Sequence, residues 1–141
     1  RELQRYDEAI RQYLNGLEYR SDHYWSRVRC GLCYAAKQDY SNAVKQYEAA
    51  IDIEPLDDEA YAFLGDAYLA QGHFERALSP YRRAVELEPD SIEPYLGLGK
   101  THLNLGDCGK ARVEFQRVLE MEPQNAEAQE GLAACEEVSE P

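Results

Sequence analysis

The chain has 141 residues, with 27 Asp or Glu against 15 Lys or Arg, for a net charge of −12. This balance argues against a nucleic-acid backbone or an anionic membrane as the main partner, because both require clustered cations and the sequence offers no basic patch. At 44% hydrophobic residues, one domain of this length buries enough surface to need neither disulfides nor metals. No apolar run approaches the ~20 residues that span a bilayer. The opening Arg1-Glu2-Leu3-Gln4-Arg5 lacks the apolar stretch of a secretory signal.

Residues 1–23 read as one amphipathic helix, with Tyr6, Ala9, Tyr13 and Leu17 at helical spacing. Residues 24–57 hold two helical patterns. The first carries Arg27, Cys30, Gly31 and Tyr34; the second carries Ala43, Tyr47 and Ala50 and closes on Pro55. Residues 58–91 repeat this plan most clearly. From Asp58 to Gln71, Tyr61, Leu64, Gly65, Tyr68 and Leu69 fall on one helix face, and Gly72 stops the helix where a left-handed residue is cheapest. A second helix is predicted from about Glu75 to Glu88, with Ala77, Leu78, Tyr81, Ala84, Val85 and Leu87 inward, until Pro89 ends it. Pro80 falls inside that helix and predicts a kink near Arg76–Pro80. Residues 92–125 show the plan again through Tyr95, Leu98, Gly99, Ala111, Phe115 and Pro123. Residues 126–141 supply a last helix, polar on its outer side through Glu127, Glu130, Glu136 and Glu137, and a frayed tail from Ser139 to Pro141.

These segments are copies of one unit. Gly31, Gly65 and Gly99 stand 34 residues apart; so do Ala9, Ala43, Ala77 and Ala111, and Tyr13, Tyr47, Tyr81 and Phe115. Neither helix of a unit can bury its apolar face alone, so the two pair and successive pairs stack into an all-α array. The glycines and alanines let paired backbones approach, and the aromatic column fills the space between units. Residues 1–23 then form the second helix of a partial repeat. Its stripe of Ala9, Ile10, Tyr13, Leu14 and Leu17 faces partly outward, which predicts either an upstream helix or self-association through this end.

The pattern of aromatic, Leu-Gly, Tyr, then Ala, aromatic, Ala and Pro is met by Tyr61, Leu64, Gly65, Tyr68, Ala77, Tyr81, Ala84 and Pro89. In this it resembles the tetratricopeptide repeat family, and the resemblance runs over essentially the whole chain. It implies a right-handed superhelical solenoid of antiparallel helix pairs, and a binding scaffold rather than an enzyme. Family members that clamp the C-terminal carboxylate of heat-shock chaperones present Lys, Asn and Arg in their groove. The matching places here hold Val28, Leu32, Phe63, Glu93 and Gly97, so that clamp is missing.

Cys30-Gly-Leu-Cys33 invites zinc or redox chemistry. The repeat register answers differently: Cys30 shares a column with Leu64, Leu98 and Leu132, Cys33 and Cys135 share one with Ala67 and Thr101, and Cys108 replaces Phe74. All four are expected as buried free thiols, which fits a reducing, cytoplasmic location. The histidines do not converge, and His102 with Cys108 is the one conceivable metal or nucleophile pair. No phosphate loop, GxSxG or HExxH is present, so no cofactor, metal or catalysis is expected.

The resemblance implies that the first helix of each pair lines a concave groove. The residues placed there are Trp25, Val28, Arg29 and Leu32; then Glu59, Phe63, Asp66 and Leu69; then Glu93, Leu96, Lys100, Leu103 and Asn104. Their mix of apolar floor and carboxylates favours a peptide or amphipathic helix with basic flanks. A second reading is a bacterial secretion chaperone that holds a hydrophobic segment of an exported protein. Asp22-His23-Tyr24 and Gly31-Leu32 resemble such chaperones, with the glycine register shifted by two.

Overall fold

The computed structural model describes residues 1–19 and 23–139, and these form eight α-helices and no strand. They are α1 (Glu2–Tyr19), α2 (Tyr24–Ala36), α3 (Tyr40–Ile53), α4 (Asp58–Ala70), α5 (Phe74–Leu87), α6 (Ile92–Asn104), α7 (Cys108–Met121) and α8 (Ala126–Ser139). Each helix packs on its chain neighbours, and α2, α4, α6 and α8 also touch in succession. That succession is what gives the array a face made of first helices only. Asp22 and the tail residues Glu140 and Pro141 lie outside the described residues, as does the side chain of Leu17.

Local chemistry sets where the helices begin. Asp39, Asp57, Asp107 and Asn125 each accept a hydrogen bond from a backbone N–H of the following helix, at 3.3, 3.0, 3.0 and 2.9 Å. His23 takes the same role for α2: its Nδ1 accepts from the Ser26 N–H at 3.3 Å. Where α2, α4 and α6 stop, Gln38, Gly72 and Gly106 occupy the left-handed region at φ 66°, 78° and 80°. Two of the three are glycine; Gln38 carries a side chain in a conformation that penalises one.

The core is built around one contact. An added Cβ at Gly31 would meet the Tyr47 ring at 2.5 Å, at Gly65 the Tyr81 ring at 2.7 Å, and at Gly99 the Phe115 ring at 2.5 Å. Each ring lies directly on the bare backbone of its partner helix. On its other side, Tyr81 meets Gly97 and Phe115 meets Gly131, where an added Cβ would come within 2.3 and 2.4 Å. Tyr47 instead stacks on Phe63, with ring centroids 5.8 Å apart. All three rings are essentially excluded from solvent. A polar latch repeats at the joints between pairs: the Tyr61 and Tyr95 hydroxyls donate to the carbonyls of Pro55 and Pro89 at 3.0 and 2.8 Å, and Gln129 Nε2 donates to that of Pro123 at 3.2 Å.

α5 runs from Phe74 to Leu87 with Pro80 buried inside it, and the Arg76 carbonyl there loses its usual donor. The apolar stripe of α1 turns largely onto α2: Ile10 is buried, and Ala9, Tyr13 and Leu14 are half-buried.

The cysteines overturn an expectation. Cys108 and Cys135 are joined in a disulfide, with Cα atoms 5.4 Å apart; Cys30 and Cys33 remain free. Column assignment placed both residues in packing positions but did not ask which columns touch. The antiparallel hairpin of α7 and α8 sets residue 108 against residue 135. In the chain-entropy picture, closing a loop of 27 residues stabilises by about 3.5 kcal/mol. The inference of a reducing compartment loses its premise, and Cys108 has no thiol to offer His102.

Two substitutions test this packing. Gly65→Ala should destabilise by about 1–3 kcal/mol in urea unfolding, because its methyl group enters the Tyr81 ring. Gln38→Gly should raise stability by about 0.5–1 kcal/mol; a neutral or destabilising result would show that the left-handed turn costs Gln38 nothing.

Candidate peptide-binding groove

The first helices stand side by side, so residues 34 apart form rows along the face they share. One row runs Trp25, Glu59, Glu93, Glu127; another runs Leu32, Asp66, Lys100. In the C-terminal half these rows enclose a cavity of about 210 Å³ lined by Asp66, Leu69, Tyr81, Glu93, Leu96, Gly97, Lys100 and Glu127. Five of the predicted groove residues therefore meet in one place: Asp66, Leu69, Glu93, Leu96 and Lys100.

The remaining predicted residues do not join them. Val28 is 1% exposed and packs with Tyr24, Ala50 and Ala60, so it belongs to the core and no ligand can reach it. Phe63 is half-buried under Tyr47. Leu103 leans into the core formed by α6, α7 and α8, and Asn104 turns its amide back onto the Lys100 carbonyl at 2.8 Å. Arg29, Leu32 and Glu59 are exposed outside the cavity. Trp25, 41% exposed and edge-on to Tyr24, lines a different cavity of about 450 Å³ with Ile53, Leu56 and Asp57.

Tyr81 is the residue the column reading missed, because it was assigned wholly to the core. Gly97, opposite it, was the available signal. A bare position there lets the ring reach the groove floor, where the Tyr81 hydroxyl donates to Asp66 Oδ1 at 2.5 Å. The bond fixes the Asp66 carboxylate in the cavity wall. Burial raises the pKa of Asp66, and Glu93 adds to the rise; the Tyr81 hydrogen bond and the nearby Lys100 ammonium oppose it. Burial and the same carboxylate push the Tyr81 phenol well above its usual range. Lys100 also reaches Glu127 of α8, at 2.5 Å, in a pair that is about half exposed and so adds little stability. One ammonium thus faces three carboxylates. The site carries a net negative charge over two leucines.

The free thiols are poorly suited to chemistry. Burial pushes Cys30 up to about 11 and also raises Cys33. Among the described residues no group of three or more His, Cys, Asp or Glu side chains could hold a metal ion, and no helix is long and apolar enough to cross a membrane.

Comparison with known proteins follows the same geometry. The sequence profile described as TPR repeat matches residues 31–72 and 65–106, and the one described as tetratricopeptide repeat matches residues 96–139. The chain belongs to the tetratricopeptide repeat family. No curated protein sequence matches it significantly. Among solved structures, it resembles the first TPR of Spaghetti (RPAP3) bound to the HSP90 peptide SRMEEVD, with 25% identity over 81% of this chain and 90% of that one, at a TM-score of 0.79. MamA from Desulfovibrio magneticus RS-1 is 27% identical over 88% of this chain and 70% of its own, at 0.80. A further MamA crystal structure superposes at 0.89 over 96% of this chain and 74% of that one, with 21% identity, a likeness of fold.

The environment of Asp66 makes a prediction with a definite sign. A raised folded pKa means that the folded state binds the proton more tightly than the unfolded chain. Stability therefore falls as pH rises from the unfolded value, near 3.8, through the folded one. Asp66→Asn keeps an acceptor for Tyr81 and removes the charge. Because Asp66 is exposed to solvent at the rim of the cavity, water screens much of the effect, so the substitution should raise the melting temperature only slightly at neutral pH, with the gain fading toward pH 4. An equal or lower melting temperature at pH 7 would show that the carboxylate is not disfavoured there.

Proposed function

We propose that this tetratricopeptide repeat array is a protein-interaction module that docks a peptide or amphipathic helix of its partner in the concave groove, through apolar side chains flanked by basic ones. The observation that carries this reading is the cavity in which Leu69 and Leu96 lie beneath Asp66, Glu93 and Glu127 with only Lys100 to offset them. An apolar stem with a cationic head fits such a slot: the stem covers the leucines and the head meets the carboxylates.

The structural relatives support a peptide-docking role in coarse form, since RPAP3 is seen with a chaperone peptide. The peptide chemistry differs. SRMEEVD ends in acidic residues, which the carboxylates of this groove would repel. A partner of opposite sign is the better complement for a chain of net charge −12.

Titration with a synthetic amphipathic Leu/Lys helix should show binding that weakens as salt is raised from low to physiological strength. Glu93→Lys, at an exposed position, should lower the affinity by about tenfold, and a Leu/Glu helix of equal length should bind worse than either. If the two helices bind equally, or if Glu93→Lys leaves the affinity unchanged, the groove is not the cation-selective site proposed here.

A further inference from the structure

The Cys108–Cys135 disulfide ties the first residue of α7 to the last turns of α8. The face that α8 turns inward is small: Ala128, Gly131, Leu132 and Cys135. By comparison, α6 buries Tyr95, Leu96 and Leu98. The charges of α8 are also one-sided. It holds Glu127, Glu130, Glu136 and Glu137 with no Lys or Arg, and the last two lie near its C-terminal end, where the helix dipole disfavours anions. Among the described residues it packs only on α7 and α6. Yet α8 supplies Glu127, which pairs with Lys100 in the wall of the groove cavity.

We propose that this disulfide is a redox latch on the groove: when oxidised it seats α8 and places Glu127 beside Lys100, and when reduced by a dithiol it releases both. A thiolate of the reductant attacks Cys108 Sγ, the half-buried member of the pair, while Cys135 is fully enclosed. The S–S bond breaks, and Cys135 leaves as a thiolate that takes up a proton. The second thiol of the reductant then attacks the mixed disulfide, freeing the Cys108 thiol and leaving the reductant as a cyclic disulfide. Two electrons pass from the dithiol to the protein. Without the tether, the small apolar face and the unbalanced glutamates leave α8 free to fray, and the groove loses one of its three carboxylates.

The part of this inference that concerns ligand affinity rests on the peptide-docking reading above; the part that concerns α8 does not. The test uses hydrogen exchange on protein oxidised with glutathione disulfide, with and without dithiothreitol, alongside C108A/C135A. Reduction should raise the thiol count from two to four and speed exchange of the α8 amides by about tenfold or more, while α4 amides are unaffected. C108A/C135A should match the reduced protein under both conditions, and the wild-type comparison stands alone if that variant does not fold. Four free thiols after oxidation, or α8 exchange indifferent to dithiothreitol, would overturn the latch. The same samples are titrated with the Leu/Lys helix, whose affinity should fall about threefold or more on reduction. If α8 responds but the helix binds neither state, the docking reading fails and the latch on α8 stands. If α8 responds and the helix binds both states equally, Glu127 has no part in recognition and the latch does not reach the groove.

Discussion

An aromatic ring lying on bare glycine backbone is the contact on which the rest of this molecule depends. Tyr47 on Gly31, Tyr81 on Gly65 and Phe115 on Gly99 leave no room for even one added carbon. The short approach fixes the distance within each helix pair. The far face of each ring then sets the spacing to the next pair, through Phe63, Gly97 or Gly131. Because interiors are packed as densely as organic crystals, spacing inside one repeat passes to the next without slack. The groove inherits its shape from that chain of contacts.

The same contact connects core and surface. At Tyr81 both faces of the ring meet glycine, so its hydroxyl reaches the concave side and holds Asp66. At Tyr47 the equivalent face is covered by Phe63, and at Phe115 there is no hydroxyl to extend. One repeat out of three thus carries a fixed carboxylate in the groove, although all three follow the same plan. Function in a repeat array is written in such departures, because the shared residues are occupied with stacking.

Charge adds a second layer. The polar rows along the first helices alternate little: Glu59, Glu93 and Glu127 share a sign, and Lys100 is the one cation of the cavity. Like charges along a row cost stability in the free protein, and a cationic ligand would relieve that cost. The raised pKa of Asp66 comes first from desolvation, with Glu93 adding a smaller push that Lys100 opposes. Under the docking role proposed above, such a site would select by sign as well as by shape.

The sequence by itself determined the repeat, its period and the helix pairs, because a period of 34 in glycine, alanine and aromatic positions admits no strand and demands that neighbours bury one another's faces. The resemblance to the family, rather than the period itself, suggested that Asp66, Leu69, Glu93, Leu96 and Lys100 share one face. Only the tertiary structure decided that Val28 sinks into the core while Leu96 keeps an edge in the cavity, because a single helical step separates floor from interior and packing alone resolves it. Only the tertiary structure brought Cys108 to Cys135, and His23 to the start of α2. A column records what a position is like, and which columns touch depends on how the helices cross.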